Sequence, residues 1–131
     1  MSSCIDPFIP CRRPTVEVMV GGVGIGGQNP VRMQSMTTTK GSDVEGSVRQ
    51  TIELVSAGSE LVRITTPTVA DAMAMGEVRR ALKERGITIP LVADIHFSPP
   101  AALEAAQWVD KVRINPESRC GLRYAKIWNT N

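Results

Sequence analysis

Between residues 31 and 115 the chain alternates short β-branched runs with amphipathic stretches. That alternation is the pattern of parallel strands joined by crossover helices. VRMQS (31–35) reads as the first strand, and LVRIT from Leu61, PLVADIHF (90–97) and KVRIN (111–115) as the next three. Ser42 and Glu45 have capping-box spacing, after which Val44, Val48, Ile52 and Val55 recur at helical intervals until Gly58 supplies a left-handed stop. Thr68 with Asp71 opens a second helix, whose buried stripe is Val69, Ala72, Met75, Val78 and Leu82, and Gly86 closes it. Ser98 caps a third, short helix with Pro99 in its first turn, where the missing N–H is no loss. The expectation is four strands and three helices.

Repeated βα units with polar residues gathered at one end of each strand predict an α/β fold, the first half of a (β/α)8 TIM-type barrel. It is incomplete, because such a barrel takes about 250 residues and this chain has 131. An open doubly wound sheet is the competing architecture. VEVMV (16–20), a glycine-dense turn and VRMQS read as a hairpin leading into strand one, an ornament that caps a barrel's lower mouth and favours the barrel. Met19, Met33 and Met36 are expected to fill gaps under that hairpin, and Met73 and Met75 to belong on a helix.

The composition excludes several classes of function. The net charge of +2 lies entirely after Pro116, where Arg119, Arg123 and Lys126 face one acid, Glu117, so there is no basic footprint for nucleic acid. No apolar run approaches the roughly 18 residues of a membrane span, and MSSCIDPFIPCRRP lacks the core of a signal peptide, so no membrane partner and a cytoplasmic location are expected. Cys4, Cys11 and Cys120 are odd in number and scattered, and give neither a disulfide framework nor a metal or iron–sulfur site. Any such cofactor is expected to be held elsewhere. The segment ESRCGLRYAKIWNTN, with Tyr124 and Trp128, has neither helical nor strand period. The expected organisation is an N-terminal extension (1–13), a partial barrel (14–116) and an aberrant or disordered tail (117–131).

GVGIGG (22–27) satisfies the dinucleotide pattern G-x-G-x-x-G after a predicted strand, with Asp43 near the spacing of a ribose-binding acid. The context rejects it, because Gly27 leads into Gln28, Asn29, Pro30 and another strand, not into a helix whose N-terminus receives pyrophosphate. Five glycines in the seven positions 21–27 read instead as a hairpin turn needing positive φ.

The informative feature is a polar residue at alternate positions near every strand end. Gln34 precedes Met36 and Thr37, Arg63 goes with Thr65, Asp94 with His96, and Arg113 with Asn115. Residues two apart share a strand face. Their neighbours Val62, Ile64, Ile95, Val112 and Ile114 are apolar and face the helices, which sends the polar set to the C-terminal mouth, where barrel enzymes place their sites. Arg63 and Arg113 on alternate strands suit a single anion clamped by two guanidiniums. The competing reading has Asp94 pair with one arginine and merely satisfy the interior. His96, the one histidine, reads as a hydrogen-bonded structural residue or, oriented by Asp94, as an acid or base.

The strings QSMTTT (34–39), DVE (43–45), AGSELVRIT (57–65), PLVADIHF (90–97) and KVRINP (111–116), in this order after a V-x-V-G-G-like hairpin, resemble the N-terminal barrel of the 4-hydroxy-3-methylbut-2-enyl diphosphate synthases over residues 14–116. These are iron–sulfur oxidoreductases of the non-mevalonate isoprenoid pathway. The resemblance implies reductive ring opening and dehydration of 2-C-methyl-D-erythritol 2,4-cyclodiphosphate. It also implies a [4Fe-4S] cluster supplied by a separate C-terminal domain, flavodoxin or ferredoxin as electron donor, and a homodimer for the full-length enzyme. Residue by residue it implies that Arg63 and Arg113 contact the diphosphate with Asn115 beside them, and that Asp94 and His96 line the same cavity as catalytic candidates. Where the family continues with Gly-Asn, this chain reads Glu117-Ser118, so it is expected to be a truncated or frame-shifted piece, inactive alone and holding no cluster. A dihydropteroate-synthase-like phosphate barrel and a non-enzymatic fragment are the alternatives.

Overall fold

The computed structural model describes residues 13–115. The tail after Pro116, the three cysteines and nearly all of the N-terminal extension lie outside the described residues. Four parallel strands, β3 (Gln34–Met36), β4 (Leu61–Thr65), β5 (Leu91–Ile95) and β6 (Lys111–Ile114), form an open sheet in sequence order. Helices α1 (Val44–Ser56), α2 (Val69–Glu84) and α3 (Pro99–Ala105) make the crossovers. Ahead of them an antiparallel hairpin pairs β1 (Val18–Val20) with β2 (Val23–Ile25). The architecture is the predicted one, the first half of a (β/α)8 barrel with a hairpin before it.

Strand parity organises the packing. Val62, Ile64 and Leu91 face outward into a cluster with Val48 of α1 and Met75, Val78 and Leu82 of α2. Ala93 and Ile95 do the same against Ala72, Ala101, Ala102 and Ala105, small residues that let α3 lie close on the sheet. The opposite face starts with Leu61 and Val92, which pack with Val20, Val23 and Ile25. The hairpin therefore seals the lower end of the concave face, the position expected of it.

Its strands are not the expected ones. VRMQS does not pair with VEVMV; the hairpin closes within the glycine-dense stretch through Gly21 and Gly22, with φ of 52° and 87°. Two successive positive-φ residues are what a two-residue hairpin turn of the right twist demands. With Gly24 inside β2, the glycines on either side of it in turns, and no helix before Val44 among the described residues, the dinucleotide reading has no structural basis. The cap of α1 also differs. Asp43, not Ser42, is the N-cap, its carboxylate accepting from Gly46 N at 3.0 Å. Thr68 and Asp71 form the predicted capping box, and Ser98 accepts from Ala101 N. Met19, Met33 and Met36 are exposed, not buried under the hairpin, and so are Val69 and Met73 on α2, because none of them is among the residues that the three clusters cover.

Gly21 and Gly58 both have positive φ but differ in surroundings. A Cβ on Gly58 meets nothing within 4 Å, whereas one on Gly21 would lie 2.9 Å from the Asp110 carboxyl, which accepts from Leu91 N and from Arg79. Gly58→Ala is expected to cost about 1 kcal/mol of backbone strain. Gly21→Ala is expected to cost about twice as much, because it also displaces Asp110. Urea unfolding of the two variants checks the difference, and equal losses would mean that Asp110 yields freely.

Candidate functional site

The site stands on the same parity. With Val62, Ile64, Ala93, Ile95, Val112 and Ile114 turned toward the helices, the alternate residues Arg63, Asp94 and Arg113 share the concave face. Asp94 is opposite Thr65 on one side and Arg113 on the other, while Arg63, one pleat lower on β4, reaches up to it. Helix α2 leaves β4 through Thr66, whose N–H donates to the Asp94 carbonyl at 2.9 Å, and Thr37 N donates to Arg63 O at 3.0 Å. These main-chain bonds tie the ends of three strands together.

Asp94 is the centre of the arrangement and is fully buried. Arg63 Nη2 donates to its Oδ2, and Arg113 Nη1 donates to its Oδ1 at 3.1 Å. His96 Nε2 lies 3.3 Å from Oδ2. Burial works against the charged carboxylate and is the largest single influence on it. The Arg63 hydrogen bond and the charges of Arg63, His96 and Arg113 together outweigh that influence and hold the Asp94 carboxyl below its ordinary range. An arginine carries five N–H donors and each here gives one to Asp94, so both guanidiniums keep donors for another acceptor. Arg63 Nε is buried with no hydrogen-bond partner, as is Thr37 Oγ1 on the neighbouring strand end.

Arg63, Asp94, His96 and Arg113 are thus brought together as the strand pattern predicts, and Asn115 follows the end of β6 two residues after Arg113. The pairing of Asp94 with arginine is present, and with both arginines instead of one. Gln34 is not part of the cluster: it sits opposite Leu61 at the lower end of the sheet. Sequence reasoning missed Thr66, whose amide bond to the Asp94 carbonyl depends on the turn geometry after β4 and leaves no mark in spacing. It also missed Asp110, which holds the opposite end of β5 through Leu91 N and Arg79. Among the described residues no group of three His, Cys, Asp or Glu is placed to hold a metal, and none of the three cysteines is among them. The described residues therefore do not fit an iron–sulfur cluster.

Residues 15–121 match the protein family described as the GcpE TIM-barrel domain. A protein of Akkermansia muciniphila named 4-hydroxy-3-methylbut-2-en-1-yl diphosphate synthase (flavodoxin) is 50% identical over 115 residues, which are 88% of this chain and 20% of that protein. A protein of the same name from Protochlamydia amoebophila is 53% identical over 105 residues, 80% of this chain and 16% of its own length. A Synechococcus protein named as the ferredoxin form is 52% identical over 106 residues, 80% of this chain and 27% of its own. The chain spans roughly a sixth to a quarter of the length of these relatives.

Asp94→Asn leaves two guanidiniums together without their counter-charge. Removing one partner of a buried pair costs about 3–5 kcal/mol. Because the arginines are part-exposed, a loss of about 2–3 kcal/mol is expected. The folded-state pKa of Asp94 is lowered, so its stabilisation is complete above the unfolded value of about 3.9 and is lost as pH falls through the folded value. The stability gap between the native chain and Asp94→Asn should therefore be full at pH 6 and shrink on acidification below about pH 4. Denaturant titrations at several pH values check this, and a gap independent of pH would contradict it.

Proposed function

The chain belongs to the family of the GcpE TIM-barrel domain, and on that premise we propose that residues 13–115 form the diphosphate-binding half of the barrel of a 4-hydroxy-3-methylbut-2-en-1-yl diphosphate synthase. The observation that carries the proposal is the convergence of Arg63 and Arg113 on the two oxygens of one buried aspartate. Two arginines and one carboxylate leave one uncompensated positive charge at the mouth, before His96 is counted. The buried, unpartnered Arg63 Nε adds a donor that an entering phosphate oxygen can satisfy.

In this reading Arg63 and Arg113 hold the diphosphate of the cyclic substrate, with Asn115 beside them, and Asp94 fixes both guanidiniums before the substrate arrives. His96 Nε2, against Asp94 Oδ2, is the group placed to hold and deliver a proton. Reductive ring opening with loss of water consumes two electrons and two protons. The departing hydroxyl leaves as water with one of those protons, which His96 supplies, and the phosphate oxygen freed by ring opening takes the other from solvent. The electrons come from flavodoxin or ferredoxin, as the names of the relatives say of them. A [4Fe-4S] cluster, which the described residues do not fit, would have to be held by another part of the working enzyme and would there supply one-electron chemistry. The working enzyme is expected to be a homodimer in the cytoplasm.

The test uses a chimaera that joins residues 13–115 to the remainder of the Akkermansia relative. Lysine keeps the charge of Arg63 or Arg113 but not the planar fork that binds phosphate oxygens in pairs. Arg113→Lys and Arg63→Lys are each expected to weaken binding of the cyclic diphosphate about tenfold, some 1.4 kcal/mol. The melting temperature is measured in parallel. A loss of stability with substrate affinity unchanged would make the arginines structural partners of Asp94 and overturn the proposal. His96→Gln is expected to lower kcat about a hundredfold with KM nearly unchanged, as for loss of a general acid. An unchanged kcat would remove His96 from the proton transfer.

A further inference from the structure

A second polar concentration lies at the opposite end of the sheet. Between the hairpin and the start of the parallel strands is a cavity of about 530 Å3, a size suited to a small molecule. Ile25, Pro30, Val31 and Leu61 are its apolar lining, and Arg13, Gln34 and Lys111 line it with polar side chains. Among the described residues lining it, none is acidic.

The wall and the rim differ in how their hydrogen-bonding groups are used. The loop after β2 is stitched to itself: Asn29 donates to Gly26 O at 3.0 Å and to Glu17, and Gly27 N donates to Thr15 Oγ1 at 3.0 Å. Arg32 spends Nε on Gly24 O at 2.8 Å and Nη1 on Glu60 at 2.9 Å, so its charge is neutralised within the wall. Glu60 also accepts from Met33 N, and this backbone bond, then Arg32, holds its carboxyl below the usual range. By contrast, among the described residues the side chains of Arg13, Gln34 and Lys111 have no hydrogen-bond or ion-pair partner. The wall is satisfied by its own hydrogen bonds, while Arg13, Gln34 and Lys111 keep unspent donors among the described residues and two of them are cations.

We propose that this cleft is a binding site for a small organic anion with a compact apolar body, separate from the Asp94 cluster. The apolar body rests on Ile25, Pro30 and Leu61, and a phosphate or carboxylate head meets Arg13 and Lys111, with the Gln34 amide adding a neutral donor. Charge-assisted bonds to a preformed cation pair supply the selection for an anion, and the stitched loop spares the ligand the entropy of ordering its own pocket. Lys111 shares its strand face with Arg113 but lies one pleat below it, so the two sites occupy opposite ends of one concave surface. The proposal does not rest on the diphosphate reading of the upper cluster.

The test is a heteronuclear NMR titration of the 131-residue chain with phenyl phosphate, using benzyl alcohol and inorganic phosphate as the body and the head alone. Phenyl phosphate is expected to shift the Gln34 side-chain amide and the Leu61 methyls saturably. Inorganic phosphate should move them at least tenfold more weakly, and benzyl alcohol not at all. The double variant Arg13→Gln with Lys111→Gln changes only exposed side chains, so it keeps the dispersed spectrum of the fold, and it should bind phenyl phosphate at least tenfold more weakly. Unmoved Gln34 and Leu61 signals, an unchanged titration in the double variant, or equal binding of inorganic phosphate would each overturn the proposal. Shifts confined to His96 and Arg113 would also overturn it while leaving the upper cluster as the anion site.

Discussion

The structure turns on a carboxylate placed where a carboxylate is costly. Asp94 is fully buried on the middle of three consecutive strands, and desolvation alone would push it toward the neutral form. Arg63 from one side and Arg113 from the other reverse that, each taking a different oxygen. The ion triad therefore crosses β4, β5 and β6, with Arg113 level with Asp94 and Arg63 one pleat below, and ties their register through side chains as well as through the ladder. Two guanidiniums would repel one another in the same space. The buried carboxylate is what lets them stand together, so anything built on the pair of arginines depends first on Asp94.

A second consequence of the period-2 strand pattern is the division of labour between the two ends of the sheet. The lower end of the concave face is held by apolar contact, with Leu61 and Val92 under Val20, Val23 and Ile25, beside the cleft that Arg13 and Lys111 line. The upper end carries charge. Along β5 the change happens within one pleat, from Val92 to Asp94, both facing the same way. Barrel folds put stability at the N-terminal face and chemistry at the C-terminal face, and this chain shows that separation within single five-residue strands. The helix side shows no such gradient: Leu91, Ala93 and Ile95 are apolar throughout.

How legible each part was in the sequence follows from the range of the interaction that decides it. Helix caps and stops at Thr68, Ser98, Gly58 and Gly86 are set within a few residues, and the chain displays them openly. So is strand parity, which puts Arg63, Asp94 and Arg113 on one face from the order of residues alone. Ser42 and Asp43 compete for one cap with equally suitable side chains, and only the fold of the preceding loop, where Asp43 N bonds Lys40 O, selects between them. The hairpin partner was illegible for a different reason. Val23–Ile25 is three residues between glycines, too short to read as a strand unless the Gly21–Gly22 turn is already recognised. Methionine burial failed because hydrophobicity says nothing about which side of an element is covered, and Met33, Met36 and Met73 stand on sides left uncovered.

That Asp94 engages both arginines changes what the pairing means for binding. If a single arginine were matched to the aspartate, the pair would be neutral and self-sufficient, and a ligand anion would have to break it. With two arginines on one carboxylate, the triad keeps a net positive charge, and each guanidinium gives Asp94 one of its five N–H donors and keeps others among the described residues. Long, flexible side chains are thereby held near a single arrangement without being saturated, which lowers the ordering cost that an incoming anion would otherwise bear. The structural and the functional readings of these residues are therefore not rivals. The same bonds that let a buried carboxylate exist aim two partly unspent guanidiniums at the mouth of the sheet.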